Sequence, residues 1–166
     1  MKKCFLLLLA LLFASSTLNA QYIESTIPNY AVSLFGKSRS KVETSLKEVG
    51  FKILSLEDKL QMGYGADAAN TTVGFNFETA MGCKVIWPTD GISERKKIMI
   101  GPVKYTSYRA MIAEYIDSGF SKFNNENGDL VYFKQGKSFT YIAKIDYIQE
   151  NGLFAATTWF ARVRRE

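Results

Sequence analysis

The chain has 166 residues, no histidine and a formal net charge of +5. The absence of histidine excludes Ser-His and Cys-His catalytic sites, His-ligated zinc or haem, and imidazole general bases. A positive charge this small for the length does not indicate a nucleic-acid partner. We therefore expect no cofactor, no metal site and no nucleic acid.

The first 20 residues predict a secretory signal peptide. Lys2 and Lys3 precede an apolar run from Cys4 to Ala14, and small and polar residues then follow up to Ala20. The run is shorter than the roughly 20 apolar residues that a membrane-spanning helix needs, so we expect no transmembrane segment. The protein is predicted to be exported, to a periplasm or out of the cell, with residues 21–166 forming a single α+β domain.

Cleavage after Ala20 leaves Cys83 as the one cysteine of the mature chain, so no internal disulfide can form. Cys83 alternates with Val85 and Trp87 in a strand-like segment. This spacing favours a buried thiol that packs as a small apolar group over a reactive one.

Two segments 69 positions apart share one local pattern, Ser38 to Phe51 and Ser107 to Phe120. Each has apolar residues at helical spacing and ends in Gly-Phe, the pattern of a helix that terminates at a left-handed glycine. In the first segment Ser40 and Glu43 have the spacing of a capping box, which predicts a helix start near Ser40, with Ser38 as the other candidate.

The same offset relates other parts of the chain. Two further pairs of segments keep it: Thr71 to Val73 with Thr140 to Ile142, and Pro28 to Phe35 with Lys97 to Lys104. We interpret the pattern as the duplication of one unit, with halves at about residues 28–90 and 97–164. Two unrelated helix-to-strand corners would also produce it. The analogy makes Tyr30 to Phe35 a strand.

Alternating apolar and polar residues, separated by turn residues, predict the remaining strands. The predicted strands are Phe51–Leu56, Lys59–Tyr64, Thr71–Thr79, Cys83–Trp87, Ile98–Val103, Phe120–Phe123, Asp129–Lys134, Ser138–Gln149 and Leu153–Val163. The expected fold is therefore α+β: two tandem β-α-β-meander repeats that form one domain, with the helices packed on one face of an antiparallel sheet.

Aromatic residues are concentrated in the last three predicted strands. If the helices cover one face of the sheet, aromatic residues on the open face would form a binding surface. Strand alternation places Trp159 and Phe160 on opposite faces, but it does not say which of them faces the helices. Our candidate binding residues are Tyr132, Tyr141 and Trp159. The alternative is that most of these aromatic side chains belong to the core.

A carboxylate-dependent hydrolase of envelope or extracellular glycans is the alternative function. Glu78, Asp129, Asp146 and Glu150 are the acids considered for it, and two of them would have to lie about 5–10 Å apart in a cleft. Nothing in their spacing requires this, so no catalytic residue is assigned.

The sequence contains two groups of basic residues: Arg95 to Lys97, and the C-terminal set of Arg162, Arg164 and Arg165. Their role can be interpreted in two ways. They are either flanks that keep the protein in solution or, if they converge, a surface for an acidic partner or an anionic envelope surface.

A predicted signal peptide followed by tandem helix-plus-meander units of this length resembles the β-lactamase-inhibitor-like group and the small outer-membrane-assembly proteins that share its repeat. The chain lacks the internal disulfides of the former and the lipid-anchoring cysteine of the latter. The resemblance implies a protein-binding sheet face and assigns no residue a role. We therefore expect an exported, non-catalytic binding module, either an inhibitor or an envelope accessory protein, whose partner is a protein or another envelope component.

Overall fold

A computed structural model of the protein describes residues 26–90, 95–123 and 128–165. The predicted signal peptide and residues 91–94 and 124–127 lie outside that description. The described part contains four α-helices: α1 Ile27–Phe35, α2 Arg39–Glu48, α3 Leu56–Gln61 and α4 Tyr108–Asp117. Its strands are β1 Lys52–Ile53, β2 Thr71–Asn76, β3 Met81–Ile86, β4 Lys97–Tyr105, β5 Ser121–Phe123, β6 Leu130–Gln135, β7 Phe139–Glu150 and β8 Leu153–Arg164.

The eight strands form a single antiparallel sheet in the order β1-β2-β3-β4-β8-β7-β6-β5. Strands from each predicted half of the chain are therefore contiguous in the sheet, and the two sets meet where β3 pairs with β4. β4 bulges between Ile100 and Val103. Among the described residues, no helix is both long enough and apolar enough to cross a membrane.

Helices α1, α2 and α4 pack on one face of the sheet, which we call the inner face. Leu34 of α1, Leu46 of α2 and Tyr115 of α4 are buried in one apolar cluster with side chains from the strands. The strand members of that cluster are Cys83, Val85, Ile98, Ile100, Tyr132, Ala143, Ile145, Ala156 and Phe160. Because side chains alternate along a strand, their neighbours point to the opposite face, which we call the outer face.

The ends of α2 and α4 are the ones that the sequence predicts. Gly50 and Gly119 have φ angles of +86° and +82°, a conformation that is strained for any residue with a Cβ. The N–H of the next residue, Phe51 or Phe120, donates to the carbonyl five positions earlier, at 2.9 Å in α2 and 3.0 Å in α4. This is the long hydrogen bond of a Schellman motif. Each buried phenylalanine leads directly into an edge strand of the sheet.

Of the two predicted starts of α2, Ser38 is the N-cap residue, although its side chain makes no capping bond. The helix therefore begins at Arg39, and the capping box expected at residues 40–43 is wrong. A capping box does begin α3: the Ser55 hydroxyl accepts from the N–H of Asp58 at 3.0 Å, and the Asp58 carboxylate accepts from the N–H of Ser55 at 3.0 Å. The predicted strand Lys59–Tyr64 is therefore wrong, because this cap starts a helix. The Ser-x-x-Asp spacing was the signal for it.

The predicted strand Tyr30–Phe35 is also wrong, because this segment belongs to α1. Pro28 lies in the first turn, where its fixed φ suits a helix and its missing N–H leaves no bond unmade. Tyr30, Ala31, Leu34 and Phe35 are buried at helical spacing. The apolar pattern was helical, and the analogy with the strand at Lys97–Lys104 was misleading.

The constant offset also fails beyond the helices. Thr71–Val73 lies in β2, the second strand from the β1 edge, whereas Thr140–Ile142 lies in β7, the third strand from the β5 edge. The chain between β1 and β2 holds α3 and a 3-10 turn at Gly65–Ala68, which shift the register of the two halves. The described part of the chain is thus an α+β structure with one eight-stranded antiparallel sheet and four α-helices.

Candidate binding surface

The three predicted binding residues do not share a face of the sheet. Tyr132 of β6 is fully buried, and its ring centroid lies 5.6 Å from that of Tyr115. Tyr141 of β7 is partly exposed and also points toward the helices, 5.7 Å from the ring of Phe35. Trp159 of β8 lies on the outer face. Of the three, only Trp159 is placed on an open sheet surface.

The strand register shows which side chains accompany Trp159. Trp159 pairs with Met99 of β4 on one side and with Lys144 of β7 on the other. Its neighbour Phe160 is in the core and faces the helices. By alternation, Trp159, Met99 and Lys144 all point away from the helices.

Partly exposed apolar side chains cross the outer face of the sheet. They come from β4, β8, β7 and β6, and none belongs to the core cluster: Met99, Trp159, Ala161, Ile142, Phe133 and Val131. Phe123 extends the row to the β5 edge and is 52% exposed. Neighbouring strands lie about 4.8 Å apart, so the row spans roughly 20 Å over five strands. We call this row the outer apolar surface.

Sequence reasoning missed most of this surface. The alternation within each strand was readable, but the partners of Trp159 are distant in sequence. Met99 lies in β4, and Phe133 lies in β6. The β4–β8, β7–β8 and β6–β7 registers together bring them onto one surface.

Lysine residues border the outer apolar surface. The register places Lys84, Lys97 and Lys104 on the outer face of β3 and β4. Lys144 interrupts the surface near its centre and forms an ion pair with Asp129, with 3.1 Å between Nζ and Oδ2. The surface is therefore apolar apart from Lys144, and it is largely basic along its β3 and β4 side.

The acids considered for glycan hydrolysis are only partly brought together. Glu78 lies in the turn between β2 and β3, where its N–H donates to the Asn76 side chain at 3.0 Å. One step beyond the last β6–β7 pair, Asp129 comes opposite Asp146, which is on the exposed sheet surface. The side chain of Glu150 is outside the described part.

The described residues contain neither a metal-binding cluster nor a reactive thiol. Within residues 26–90, 95–123 and 128–165, no three or more His, Cys, Asp or Glu side chains come together in a way that could hold a metal ion. Cys83 is a free, fully buried thiol, as its alternation with Val85 predicts. Burial raises the pKa of Cys83 to about 12, so it stays protonated and unreactive at neutral pH.

Comparison with known proteins adds no family. No protein-family model, curated protein or solved structure matches the chain. The architectural resemblance drawn from the sequence stays an expectation, and the functional argument rests on the outer face itself.

Proposed function

We propose that the protein is an exported, non-catalytic binding module that docks a partner protein on the outer apolar surface. The observation that carries the proposal is the row of apolar side chains on the face opposite the helices. Globular proteins seldom expose a contiguous apolar patch of this width unless it contacts a partner. The inner face already supplies the core, so the outer row is not needed to hold the helices.

The partner presents apolar side chains bordered by carboxylates. Trp159 and Met99 adjoin at the β4 end of the outer apolar surface, and tryptophan and methionine are enriched in protein interfaces. The lysines at 84, 97 and 104 lie along one border. A matching acidic border on the partner would steer the encounter and fix its orientation.

Export is part of the proposal. The predicted signal peptide would deliver residues 21–166 as one domain to a periplasm or to the medium, where an inhibitor or an envelope accessory protein would meet its partner. We also infer that the halves at about 28–90 and 97–164 arose from one unit. In support, α2 and α4 each have ten residues, each ends in Gly-Phe, and each precedes an edge strand.

A glycan hydrolase is the second candidate, and one observation favours it: the register brings Asp129 opposite Asp146. A general acid needs an enclosed, weakly solvated environment. Asp146 is exposed, and Asp129 is held by Lys144, so the pair fits a solvated sheet margin better than a catalytic dyad. Asp146→Asn would abolish hydrolysis of envelope glycans if this candidate were correct, and would leave partner binding intact if the docking proposal is correct.

The test of docking uses two matched substitutions. Mature protein (residues 21–166) captures the partner from the envelope fraction and medium of the producing cells, and the purified partner is then titrated against each variant. Trp159→Asp places a charge in the outer apolar surface. Leu60→Asp makes the same kind of change at a leucine that is 52% exposed in α3, the helix between the edge strand β1 and β2.

We expect Trp159→Asp to weaken binding at least about 30-fold, since central aromatic residues of interfaces contribute about 2 kcal/mol or more. Leu60→Asp should change binding less than about twofold. Equal affinity of wild type and Trp159→Asp would refute docking on this surface. If the protein instead forms a dimer that Trp159→Asp dissociates, the occupant is a second copy of the chain, and the proposed partner protein is wrong.

A further inference from the structure

A cavity of about 310 Å³ lies at the end of the sheet where β2 begins, β3 ends and β4 begins. Trp87, which directly follows β3, forms part of its lining, and Arg95 and Lys97 form another part. Lys97 lies next to the outer apolar surface, because the register places it beside Ala161 of β8. The docking proposal does not use this cavity.

One wall of the cavity is fixed by hydrogen bonds. Each carbonyl oxygen of residues 68–71 accepts a hydrogen bond from another part of the chain. The buried Lys59 ammonium donates to the first and the last, at 2.7 and 2.8 Å. The Arg39 guanidinium donates to the second at 2.9 Å, and the N–H of Trp87 donates to the third at 2.8 Å. The wall is thus ordered before a ligand arrives, which lowers the entropy lost on binding.

The wall and its neighbours present groups that hydrogen-bond to hydroxyls. Asp67 and Asn70 line the cavity on the β2 side, and Thr89 lines it on the β3 side. A carboxylate, an amide and a hydroxyl together can both accept from and donate to a polyhydroxylated ligand.

The field around Trp87 is positive. The Arg39 guanidinium carbon lies 5.5 Å from the centroid of the Trp87 ring, and the Lys96 ammonium lies 4.6 Å from it. Lys96 is 1% exposed and donates to the carbonyl of Lys37 at 2.6 Å. An aromatic face and a carbonyl hold a cation in place without neutralising it. These charges therefore add to those of Arg95 and Lys97.

One residue of the C-terminal basic group, Arg162, comes close to the basic group at residues 95–97. Burial, together with the charge of Arg162 on β8, lowers the pKa of Lys96 to about 8. Arg95 carries one carboxylate partner, Asp90, at 3.2 Å, and its side chain remains 69% exposed. The exposed guanidinium and the adjacent Lys97 are placed to receive an anionic group.

We propose that this cavity binds a small hydroxylated anion, namely a sugar unit that carries a carboxylate or phosphate group. Arg95 and Lys97 hold the anionic group, while Asp67, Asn70 and Thr89 hydrogen-bond with the hydroxyls. A volume of about 310 Å³ is at the small end of ligand pockets and accommodates one sugar ring. The site shares Lys97 with the basic border of the docking surface, but it takes a different class of ligand and can be tested with small molecules alone.

The first test compares four probes by calorimetric or NMR titration at low salt: glucuronate, glucose 6-phosphate, glucose and inorganic phosphate. We expect both acidic sugars to bind at least about tenfold more tightly than glucose or inorganic phosphate, because only they satisfy the cations and the hydroxyl-binding groups together. Glucose binding as tightly as the acidic sugars would refute the role of the cations. Inorganic phosphate binding as tightly would refute the sugar part of the proposal.

The second test locates the site by removing the same charge at two places. Arg95→Gln with Lys97→Gln removes both cations of the cavity. Lys122→Gln with Arg109→Gln removes two exposed cations elsewhere, on β5 and α4. We expect the cavity variant to lose at least about tenfold in affinity and the control variant less than about twofold. Equal losses would assign binding to overall charge and overturn the proposal, as would an unchanged affinity of the cavity variant. Trp159→Asp should bind the acidic sugars normally.

Discussion

Phe160 and Trp159 are neighbours in β8, and the fold uses them in opposite ways. Phe160 is 1% exposed, lies nearly parallel to Tyr115 with a centroid distance of 6.4 Å, and contacts Phe120 edge-on. Trp159 lies outside the core cluster, between Met99 and Lys144. The comparison shows that an aromatic side chain does not by itself indicate whether a residue belongs to the core or to an exposed surface. Its cross-strand partners show which face of the sheet it occupies.

Polar residues show the same contrast between the two faces. Thr158 is buried on the inner face, and its hydroxyl shares a hydrogen bond with that of Tyr115. Thr157 points outward beside Asp146. Lys96 is buried among inner-face groups, whereas Lys144 is solvated on the outer face. In each pair, the same substitution can be made at both positions to test which face of the sheet each residue occupies.

The largest expected difference is between Phe160→Ala and Trp159→Ala. Phe160→Ala should lower the free energy of unfolding by about 3–5 kcal/mol, because it leaves a cavity among Tyr115 and Phe120. Trp159→Ala should cost less than about half as much, although it removes the larger side chain, because that side chain is only partly buried. Urea unfolding of both variants gives the two values. An equal cost would place Trp159 in a core and break the distinction between the faces.

The next difference concerns pH and the two lysines. The pKa of Lys96 is lowered from 10.5 to about 8, so between these values the unfolded chain binds a proton that the folded protein has released. Stability therefore rises with pH in that window. Relative to Lys96→Met, wild type should gain about 2 kcal/mol between pH 8 and pH 10. The measurement is urea unfolding at several pH values.

Lys144→Met is the control for that series. Lys144 is 48% exposed, so its removal should leave the rise in stability with pH unchanged. The groups around Lys96 are the Trp87 ring, the Lys37 carbonyl and the charge of Arg162. If the difference in the free energy of unfolding between wild type and Lys96→Met did not change with pH, Lys96 would be solvated.

The sequence predicts the elements that local signals define. Strands β2 to β8 follow from alternation, and the ends of α2 and α4 follow from Gly-Phe, because the left-handed glycine and the buried phenylalanine are close in sequence. The analogy between halves failed at α1, where Pro28 and the buried Tyr30 and Leu34 specify a helix by themselves. For α1, the residues of the segment itself predicted its structure better than the analogy with the segment 69 positions later did.

The candidate sites depend on contacts between distant residues, which no local pattern reports. Tyr132 and Trp159 belong to alternating sets that were visible, but only the sheet order shows which set the helices cover. The cavity depends even more on distant contacts, because Lys59, Arg39 and Trp87 hold its wall from three separate parts of the chain. The sequence suggested only that the two basic groups, if they converged, would form a surface for an acidic partner or an anionic envelope surface.

The smallest expected difference concerns Thr158 and Thr157. Thr158→Val should cost about 1–2 kcal/mol, because it leaves the buried Tyr115 hydroxyl without its hydrogen-bond partner. Thr157→Val, at the adjacent outward position, should change stability by less than about 0.5 kcal/mol.

Tyr115→Phe should cost about as much as Thr158→Val, and the double variant should cost little more than either alone, because it removes both polar groups and leaves neither unsatisfied. Urea unfolding of the four variants completes the cycle. If the losses of stability in Thr158→Val and Tyr115→Phe simply added up in the double variant, the hydrogen bond between the two hydroxyls would contribute nothing to stability.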